Sequence, residues 1–581
     1  MKITFPQLIT LGVAGILSGC GASDSNDLPT PPPKLVIQPL ESKNSFIIGN
    51  GLRITIDSNW KLLVQVPLKY DPEGEEKIQF GNVEISPAAF ASELPEFKGF
   101  IKRNSIKERS YTLATTQGEA TLIWQKDDLF QLTFDIEKVN IPPKTSIRNW
   151  TYEGTQSTNG KNQAVFSIKV DTLAEPVTSP ITNRPIQVKF TNSAESSELV
   201  TRLIEDLRLT TVRNILPVRK FGMAPFGISN DLYFGHTFWD ADVWMLPALL
   251  FTEPQAARDI VDYRLSLVEQ ARKNAAVTLK QPSKALQFPW ESSVSGKETV
   301  PGESKKEHHI TGSVLWGMTQ AEAAGLVPSV TVKPIAQGAA TFYQLRSKKT
   351  NRGREILDVM SPDENFIGDN DLYTNLLAQW LTNDRNWEGP TKFYLPKDDK
   401  SLLTYEHDPL RSYKQAAAVL AIYPLEFPEA EKNARAMMDR FESKVIKNGP
   451  AMTESVHSII WARLGETDKA LTAWKKSYEP FLVKGSNEFS EKRSTVRTYF
   501  YTGSAGVINS VIYGFAGIRL DKKPQQRATF SKQLKSGWYL SVTPHVPAEL
   551  GDLQLTNLVI DGKTTSLKCT VDGKVTFQPP I

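Results

Sequence analysis

Cysteine and histidine are scarce in this sequence. Its 581 residues include two cysteines and six histidines, and no Cys/His pair has the spacing of a tetrahedral zinc site. We therefore expect neither a metal site nor a cofactor. Any chemistry must then depend on carboxylates, hydroxyl groups and aromatic rings.

An excess of charge of either sign is also lacking. The chain has 68 Lys and Arg against 64 Asp and Glu, a formal net charge of +4. The basic residues form no continuous stripe, so we expect no nucleic-acid partner. An apolar content of 40% is typical of a globular protein, and the length predicts roughly two to four domains.

The N-terminus contains a short apolar segment. Residues 5–17 are too few to span a bilayer as a helix and have the proportions of a signal sequence. They end in Leu17-Ser18-Gly19-Cys20, which resembles the lipobox of bacterial lipoproteins; a plain signal peptide is the alternative. The sequence thus predicts a lipoprotein signal peptide at 1–20, lipidation of Cys20, and a flexible tether at 21–34.

This prediction implies a bacterial lipoprotein that is exported to the periplasm or the cell surface and anchored to the membrane. Cys569 is then the one cysteine left in the folded part. It has no partner for an internal disulfide, so stability must come from core packing.

The pattern of strands and helices divides the rest of the chain, which we expect to be a multidomain α+β protein. Short β-branched runs separated by turn residues predict an N-terminal β-sandwich at 35–193. Helical spacing begins in a linker at 194–215 and recurs without clear strands over 216–518, which predicts a closed helical toroid. Strands joined by Asp-Gly turns predict a small C-terminal β domain at 519–581.

Five clusters combine carboxylates with aromatic or amide side chains. Sugars have apolar ring faces and polar rims, so an aromatic ring beside an acid is typical of a sugar-binding site. Taken singly, the clusters are also consistent with aromatic packing, helix capping or a solvated run of charge. They lie at residues 235–245, 288–292 with 307–312, 361–365, 413–415, and 488–491 with 499–506.

The loop Ser361-Pro362-Asp363-Glu364-Asn365 places carboxylates close together. Like-charge repulsion and partial burial can raise the pKa of one of them. A carboxyl group that stays protonated near neutral pH is what a glycosidic general acid requires. A carboxylate in the last cluster could activate water.

In sequence order, GHTFWDADVWMLP, FPWESSVSG, EHHITG, SPDEN…DNDLYTN, YKQAAAVLAIYP and YFYTGSAGVINSVIYGF resemble the successive motifs of glycoside hydrolase family 65. The resemblance extends over about residues 197–520. The family includes acid trehalases, kojibiose and maltose phosphorylases, and the glucosidase that trims glucosyl-galactosyl-hydroxylysine. It implies an N-terminal β-sandwich, a helical linker, an (α/α)6 barrel and a small C-terminal β domain.

The resemblance also implies roles for particular residues. Glu364 is the expected general acid. A glutamate before Tyr-Phe-Tyr-Thr-Gly is the expected general base, and we favour Glu491 over Glu488 because of its spacing from that segment. Many members have a Tyr-His pair after the acidic Glu, so different aglycone contacts are expected here. The implied sugar-binding residues are Trp239, Asp240, Trp290, Glu291, His309, Lys414 and Gln415.

These roles imply an inverting α-glucosidase that hydrolyses a small α-glucoside, with an α-1,2 linkage of the kojibiose or glucosyl-galactose type preferred. An inverting disaccharide phosphorylase and a trehalase of the same family are alternatives, and a glycan-binding lipoprotein without activity is a third. A glutamate at the base position favours hydrolysis, because the phosphorylases lack it and bind phosphate. The expected partners are a small oligosaccharide and the membrane; a homodimer stays open.

Overall fold

The structure is a computed structural model, and it does not describe every residue. It describes residues 46–581 except 50–51, 71–75, 77, 86–91, 93, 106–109, 127–128, 136–143, 148–149, 159–160, 170–185, 210–221, 228–231, 363, 365, 417, 484–487 and 496–498. The predicted signal peptide (1–20), its Cys20 and the tether (21–34) lie outside the described residues. Within the described chain, no helix combines the length and apolar character needed to cross a membrane.

Two antiparallel sheets form the N-terminal part of the described chain. One has the strand order β1-β2-β3-β4 and the other the order β5-β6-β7-β8-β11-β10-β9. The strands are β1 Phe46–Gly49, β2 Leu52–Ile56, β3 Leu62–Tyr70, β4 Ile78–Ile85, β5 Phe97–Ser105, β6 Ser110–Thr115, β7 Gly118–Lys126, β8 Leu129–Asp135, β9 Ser146–Ile147, β10 Trp150–Thr158 and β11 Lys161–Lys169.

Trp60 connects the two N-terminal sheets. It lies between β2 and β3 and is 1% exposed. Its indole meets the rings of Phe97 and Phe134 edge-on, with centroids 5.1 and 5.0 Å away. Its Nε1 donates a hydrogen bond to the Pro95 carbonyl at 2.6 Å. One side chain from the first sheet is therefore fixed by apolar and polar contacts to the second.

Helices dominate the chain from Ala194 to Phe515. The π-helical turn Ala241–Met245 continues directly into Leu246–Leu249, and we call this run α2; Tyr501–Asn509 continues likewise into Ser510–Phe515, and we call that run α12. The others are α1 Ala194–Leu209, α3 Pro254–Ser266, α4 Val268–Leu279, α5 His309–Ala323, α6 Ser329–Arg346, α7 Leu372–Thr382, α8 Pro428–Lys432, α9 Ala434–Phe441, α10 Thr453–Arg463 and α11 Thr467–Tyr478, with short 3-10 turns Leu232–Gly235, Ser304–Lys306, Ala418–Ala421, Glu442–Lys444 and Glu479–Phe481.

The helices form two layers. α2, α5, α7, α10 and α12 are buried nearly all round, as expected for helices with no polar face. α6 and α11 bury one stripe and expose the opposite face. α5 packs between α2 and α7, while α12 packs against α2 and α10. The fully buried helices therefore adjoin one another inside a layer of amphipathic ones.

Two short hairpins interrupt this helical region, although the sequence predicted no clear strands there. They are β13 Lys348–Thr350 with β14 Gly353–Glu355, and β15 Val359–Met360 with β16 Ile367–Gly368. Strands of two or three residues are too short to produce an alternating pattern in the sequence. The second hairpin matters for the site, because Glu364 lies in its connecting loop.

The C-terminal part has two further sheets. β17 Ile518–Asp521, β19 Tyr539–Val542 and β18 Phe530–Gln533 form one, in the order β17-β19-β18. The other has the order β12-β20-β21-β22, with β12 Val188–Phe190, β20 Leu553–Ile560, β21 Lys563–Cys569 and β22 Val575–Gln578. Cys569 is buried there as a free thiol.

Strand β12 corrects a predicted boundary. The sequence placed Val188–Phe190 in the N-terminal sandwich (35–193), whereas the strand pairs antiparallel with β20. The pattern of a three-residue strand does not reveal its partner, because pairing over such a separation leaves no local signal. The helix predicted at 194–215 is observed at Ala194–Leu209, and 210–215 lie outside the described residues.

Replacing Trp60 tests how far the two N-terminal sheets depend on it. We expect Trp60→Ala to lower the free energy of unfolding of this region by about 3–5 kcal/mol, because a large buried ring is lost and a cavity remains. Differential scanning calorimetry would report the change as an earlier transition. The control is Val277→Ala at a position 78% exposed, with an expected effect within about 0.5 kcal/mol. If Trp60→Ala and Val277→Ala had the same melting temperature, Trp60 would not stabilise the two N-terminal sheets as described.

Candidate active site

The loop of the β15–β16 hairpin presents Glu364. Its backbone N–H donates to the Ser361 carbonyl at 3.1 Å, and its φ of 57° lies in the left-handed region. Such a backbone costs a non-glycine residue about 1–3 kcal/mol and persists only where its surroundings enforce it. Strained residues of this kind concentrate at functional sites.

Lys414 and Gln415 hold this loop. Lys414 Nζ forms an ion pair with Glu364 Oε2. Gln415 Nε2 donates to Glu364 Oε1 at 3.3 Å and also to the Pro362 carbonyl. Two adjacent residues thus fix both the carboxylate of Glu364 and the backbone before it.

Asp240 precedes α2 and is buried. Thr502 Oγ1 donates a hydrogen bond to its Oδ2 at 2.6 Å. Burial raises the pKa of Asp240 from its ordinary value of 3.8 to about 7, and the charges of Glu364 and Glu491 add to this rise. The hydrogen bond from Thr502 opposes it. Asp240 is therefore poised between its two protonation states at neutral pH.

A buried ion pair anchors the segment that carries Asp240. Arg264 Nη2 donates to Asp242 Oδ2 at 2.6 Å and to the Phe238 carbonyl at 3.0 Å. Both side chains are fully enclosed. Since either charge alone would be costly to bury, the pair fixes the start of α2 against α3.

Glu491 receives a hydrogen bond from Tyr233, whose hydroxyl donates to its Oε1 at 2.9 Å. The carboxylate is 6% exposed, and the backbone carbonyl accepts from Ala451 N at 2.9 Å. Burial raises the pKa of Tyr233 well above its usual range, and the charges of Glu491, Glu364 and Asp240 contribute. Glu488, the other candidate base, is half-buried, and its carbonyl accepts from Val483 N at 2.8 Å.

The charged and polar side chains described above interact electrostatically with one another, so they form one cluster. Burial acts to lower the pKa of Lys414, but the charges of Glu364, Glu307 and Glu491 raise it overall. Glu364 and Glu491 also both act on Asp240 and on Tyr233. The two glutamates predicted as acid and base thus act on the same three side chains. They come from segments of the chain that are far apart in sequence.

Aromatic rings form a layer around Asp240. Trp239 is buried, with ring centroids 4.6 Å from His309, 4.7 Å from Trp244 and 6.1 Å from Tyr373. Trp290 is more open; its ring stands edge-on to Phe238 at 5.0 Å. Of the two predicted sugar-binding tryptophans, Trp239 is therefore enclosed by packing and Trp290 is the more accessible.

Two acid–histidine pairs border the cluster. His309 Nε2 lies 2.9 Å from Glu307 Oε2, and both side chains are completely buried. Burial lowers the pKa of His309 to about 3, and burial raises the pKa of Glu307 well above its usual range. This pair is therefore neutral. The predicted sugar-binding residue Glu291 pairs with His236, whose Nδ1 lies 2.7 Å from its Oε1.

Three residues of the site were not predicted. Thr502 and Glu307 lie in motifs that the sequence singled out, but nothing in their spacing indicated a contact with Asp240 or His309. Tyr233 lies just before the first motif and carries no sequence signal, because its partner Glu491 is 258 residues away. Among the described residues, no group of three or more His, Cys, Asp or Glu side chains could hold a metal ion.

The raised pKa of Asp240 predicts a pH-dependent effect on stability. Because its folded pKa of about 7 exceeds its ordinary value, the stability it contributes is fully present below about pH 4 and is lost as the pH rises through about 7. Asp240→Asn cannot ionise, so it should leave the melting temperature unchanged near pH 4 and raise it near pH 8. The difference is at most about 4 kcal/mol.

Calorimetry at the two pH values would measure this effect. The matched control is Asp399→Asn, an exposed aspartate of the same helical region, which should change the melting temperature at neither pH. A shift of equal size at both pH values for Asp240→Asn would show that burial does not govern the protonation of this carboxyl group.

Comparisons with known proteins match part of this sequence to a family model. Residues 213–386 match the family model described as the glycosyl hydrolase family 65 central catalytic domain. Kojibiose hydrolase of Flavobacterium johnsoniae is 32% identical in an alignment of 370 residues that covers 59% of this chain and 51% of that protein. Protein-glucosylgalactosylhydroxylysine glucosidase of Gallus gallus is 32% identical over 400 residues, 62% of this chain and 54% of that protein. The chain spans about half the length of the curated relatives it matches.

The fold has a solved counterpart over nearly its whole length. A structure described as a candidate kojibiose phosphorylase from the human microbiome superposes with a TM-score of 0.59, covering 90% of this chain and 91% of that chain. At 12% identity this likeness concerns the fold alone. The sequence match is more specific: residues 213–386 are similar to the central catalytic domain of glycoside hydrolase family 65, and the relatives named above share about half of their length with this chain.

Proposed function

We propose that this protein is an inverting α-glucosidase that hydrolyses a small α-glucoside, with an α-1,2 linkage of the kojibiose or glucosyl-galactose type preferred. The observation that carries the proposal is the pair Glu364 and Glu491. Both carboxylates act on Asp240, Tyr233 and Lys414 within one buried cluster. A pair of carboxyl groups in one pocket is what inverting and retaining glycosidases alike require.

In this proposal Glu364 is the general acid and Glu491 the general base. Glu364 first takes up a proton from solvent and then donates it to the oxygen of the leaving sugar. The carboxylate that results pairs again with the ammonium of Lys414. Glu491 takes a proton from a water molecule on the opposite face of the glucose. The hydroxyl of Tyr233 fixes the direction of the Glu491 carboxylate. Inversion requires the two carboxyl groups to be roughly 6.5–9.5 Å apart, which leaves room for that water.

The remaining predicted residues bind the glucose. Asp240 accepts hydrogen bonds from sugar hydroxyls at the start of α2, and the more open ring of Trp290 covers an apolar face of the sugar. Glu291, Lys414 and Gln415 complete the polar rim. The rings of Trp239 and His309 contact each other, and this packing fixes the segment that carries Asp240.

The charge of the cluster favours hydrolysis over phosphorolysis. Asp240, Glu307, Glu364 and Glu491 are all carboxyl groups, and Lys414 is paired with Glu364. A phosphate dianion placed beside the Glu491 carboxylate would be repelled in a medium of low dielectric constant. Water is neutral and meets no such barrier. A disaccharide phosphorylase of the same family therefore ranks second, with a trehalase as the alternative hydrolase.

The linkage preference draws on relatives. Two kojibiose hydrolases, from Flavobacterium johnsoniae and Mucilaginibacter mallensis, match this chain at 32% and 30% identity. We further propose that the two helix layers close into an (α/α)6 barrel between β domains. The predicted lipid on Cys20 would anchor the enzyme to the membrane outside the cytoplasm.

A panel of disaccharides tests the proposed reaction. Kojibiose, nigerose, maltose, isomaltose, trehalose and glucosyl-galactose are each incubated with the full-length protein, with and without phosphate. NMR follows the anomer of the glucose released. We expect β-glucose from an α-1,2-linked substrate without phosphate. Release that requires phosphate would assign a phosphorylase, and no cleavage of any sugar would favour a protein that only binds glycan.

Substitutions of single carboxyl groups test the two roles. We expect Glu364→Gln and Glu491→Gln each to lower kcat by about 10²–10⁴-fold, because each removes one proton transfer from the transition state. Isothermal titration calorimetry should show that both variants still bind the sugar. Glu488→Gln is the matched control and should retain activity within about threefold. If it is the Glu488 variant that loses activity, the base has been misassigned.

A further inference from the structure

A cavity lies near the ends of the buried helices that are opposite to the candidate active site. It has a volume of about 700 Å³ and is lined by the C-terminal halves of α5 and α7, the ends of α10 and α12, and the first strand of the C-terminal sheet. The residues of the candidate active site lie instead at the starts of α2, α5 and α12. A rise of about 1.5 Å per residue places Tyr513, in the cavity wall, about 18 Å from Tyr501 along α12. The two sites are therefore separate.

Four tryptophans contribute to the wall of this cavity. Trp316, Trp380, Trp387 and Trp538 all line it. The rings of Trp380 and Trp387 lie 6.3 Å apart at a moderate angle, and Trp387 and Trp538 are only half-buried. Broad aromatic faces at the edge of an open cavity are suited to the apolar face of a sugar ring.

Three of the arginines around the cavity are paired with carboxylates. An arginine in the wall forms an ion pair with a neighbouring carboxylate in three places. The pairs are Arg463 with Glu426, Arg519 with Glu431, and Arg385 with Glu322. A phosphate or carboxylate ligand would have to compete with these pairs for the arginines. Lys523 and Arg527 also line the cavity, and their N–H groups can donate to sugar hydroxyls as well as to an anion.

Uncharged polar groups are present in the same wall. Gln320, Asn386 and Gln526 contribute amide groups, which can both donate and accept hydrogen bonds. The hydroxyl of Tyr423 and the Nε of Arg385 are buried without a hydrogen-bond partner in the described part of the chain. Unsatisfied buried polar groups favour a polar ligand over a lipid.

One lysine joins the two sides of the cavity. Lys522, from the segment after β17, donates to the carbonyl of Arg385 at 3.2 Å and to the side-chain oxygen of Asn386 at 3.4 Å. Its Nζ also lies 5.8 Å from the ring centroid of Trp538. These contacts hold the C-terminal sheet against the loop after α7, so the cavity is formed before any ligand arrives.

We propose that this cavity is a second glycan-binding site, which takes a neutral oligosaccharide and acts independently of the Glu364 site. Aromatic faces and amide groups together suit a ligand with many hydroxyl groups, and three arginines of the wall are already engaged by carboxylates. The site would allow the protein to hold one part of a glycan while the active site takes another sugar.

Isothermal titration calorimetry with the full chain tests this proposal. The protein carries Glu364→Gln to suppress turnover, and the probes are maltotriose, cellotriose and xylotriose, with inorganic phosphate as the anionic comparison. We expect at least one trisaccharide to bind with an affinity that Trp387→Ala weakens by about tenfold or more. Trp387→Phe, which keeps a ring, should weaken it less, and Trp290→Ala should leave this binding unchanged. Trp387→Ala alone should keep kcat/KM for a small disaccharide within about twofold.

Three outcomes would overturn the proposal. Trisaccharide binding that responds to Trp290→Ala but not to Trp387→Ala would place all the sugar in the active site. Phosphate binding that Trp387→Ala abolishes would show that the ligand is an anion. No binding sensitive to Trp387 up to about 10 mM trisaccharide would remove the site altogether. Because these readouts are of binding, they hold whether or not the proposed hydrolysis is correct.

Discussion

The site depends on placing four carboxyl groups together out of water. Asp240, Glu307, Glu364 and Glu491 share one cluster, and four buried negative charges would be strongly destabilising. The structure reduces the charge in several ways. Burial keeps Glu307 protonated and brings Asp240 close to protonation at neutral pH. Lys414 pairs with Glu364, and hydroxyl groups donate to the other two. The arrangement of the surrounding loops follows from these requirements.

The N-terminal ends of three helices also lower the cost of burying these carboxyl groups. Asp240 precedes α2, His309 begins α5, and Thr502 lies in the first turn of α12. The N-terminal end of a helix carries a partial positive charge and unpaired N–H groups. Since helices without a polar face must be buried, their ends are the places where polar side chains can meet at a common site. The same construction leaves room for a cavity at their other ends.

The sequence predicted the helical region, the β domains on both sides of it and the order of the motifs, because these are expressed in local periodicity and in short ordered segments. The structure brings Glu364, Lys414 and Gln415 together as the motif order suggested. It was not possible to predict the hydrogen bond from Tyr233 to Glu491, because such a contact depends on how distant loops meet. Nor could the sequence predict that Trp239 is enclosed and Trp290 more exposed, since both residues belong to similar aromatic motifs. Strand β12 was misplaced for the same reason: its partner is determined by tertiary packing and not by its own three residues.

The pairing of β12 with β20 has a consequence for how the chain folds during synthesis. Gln187, just before β12, donates its backbone N–H to Thr556, 369 residues further on. Closing a loop of that length costs about 5 kcal/mol in chain entropy beyond a constant contribution. A ribosome that has made the helical region has not yet made β20, so β12 waits without this partner until β20 emerges. The C-terminal sheet therefore forms last and closes the nascent chain upon itself, and a truncated translation product would expose an unpaired strand edge next to the buried helices.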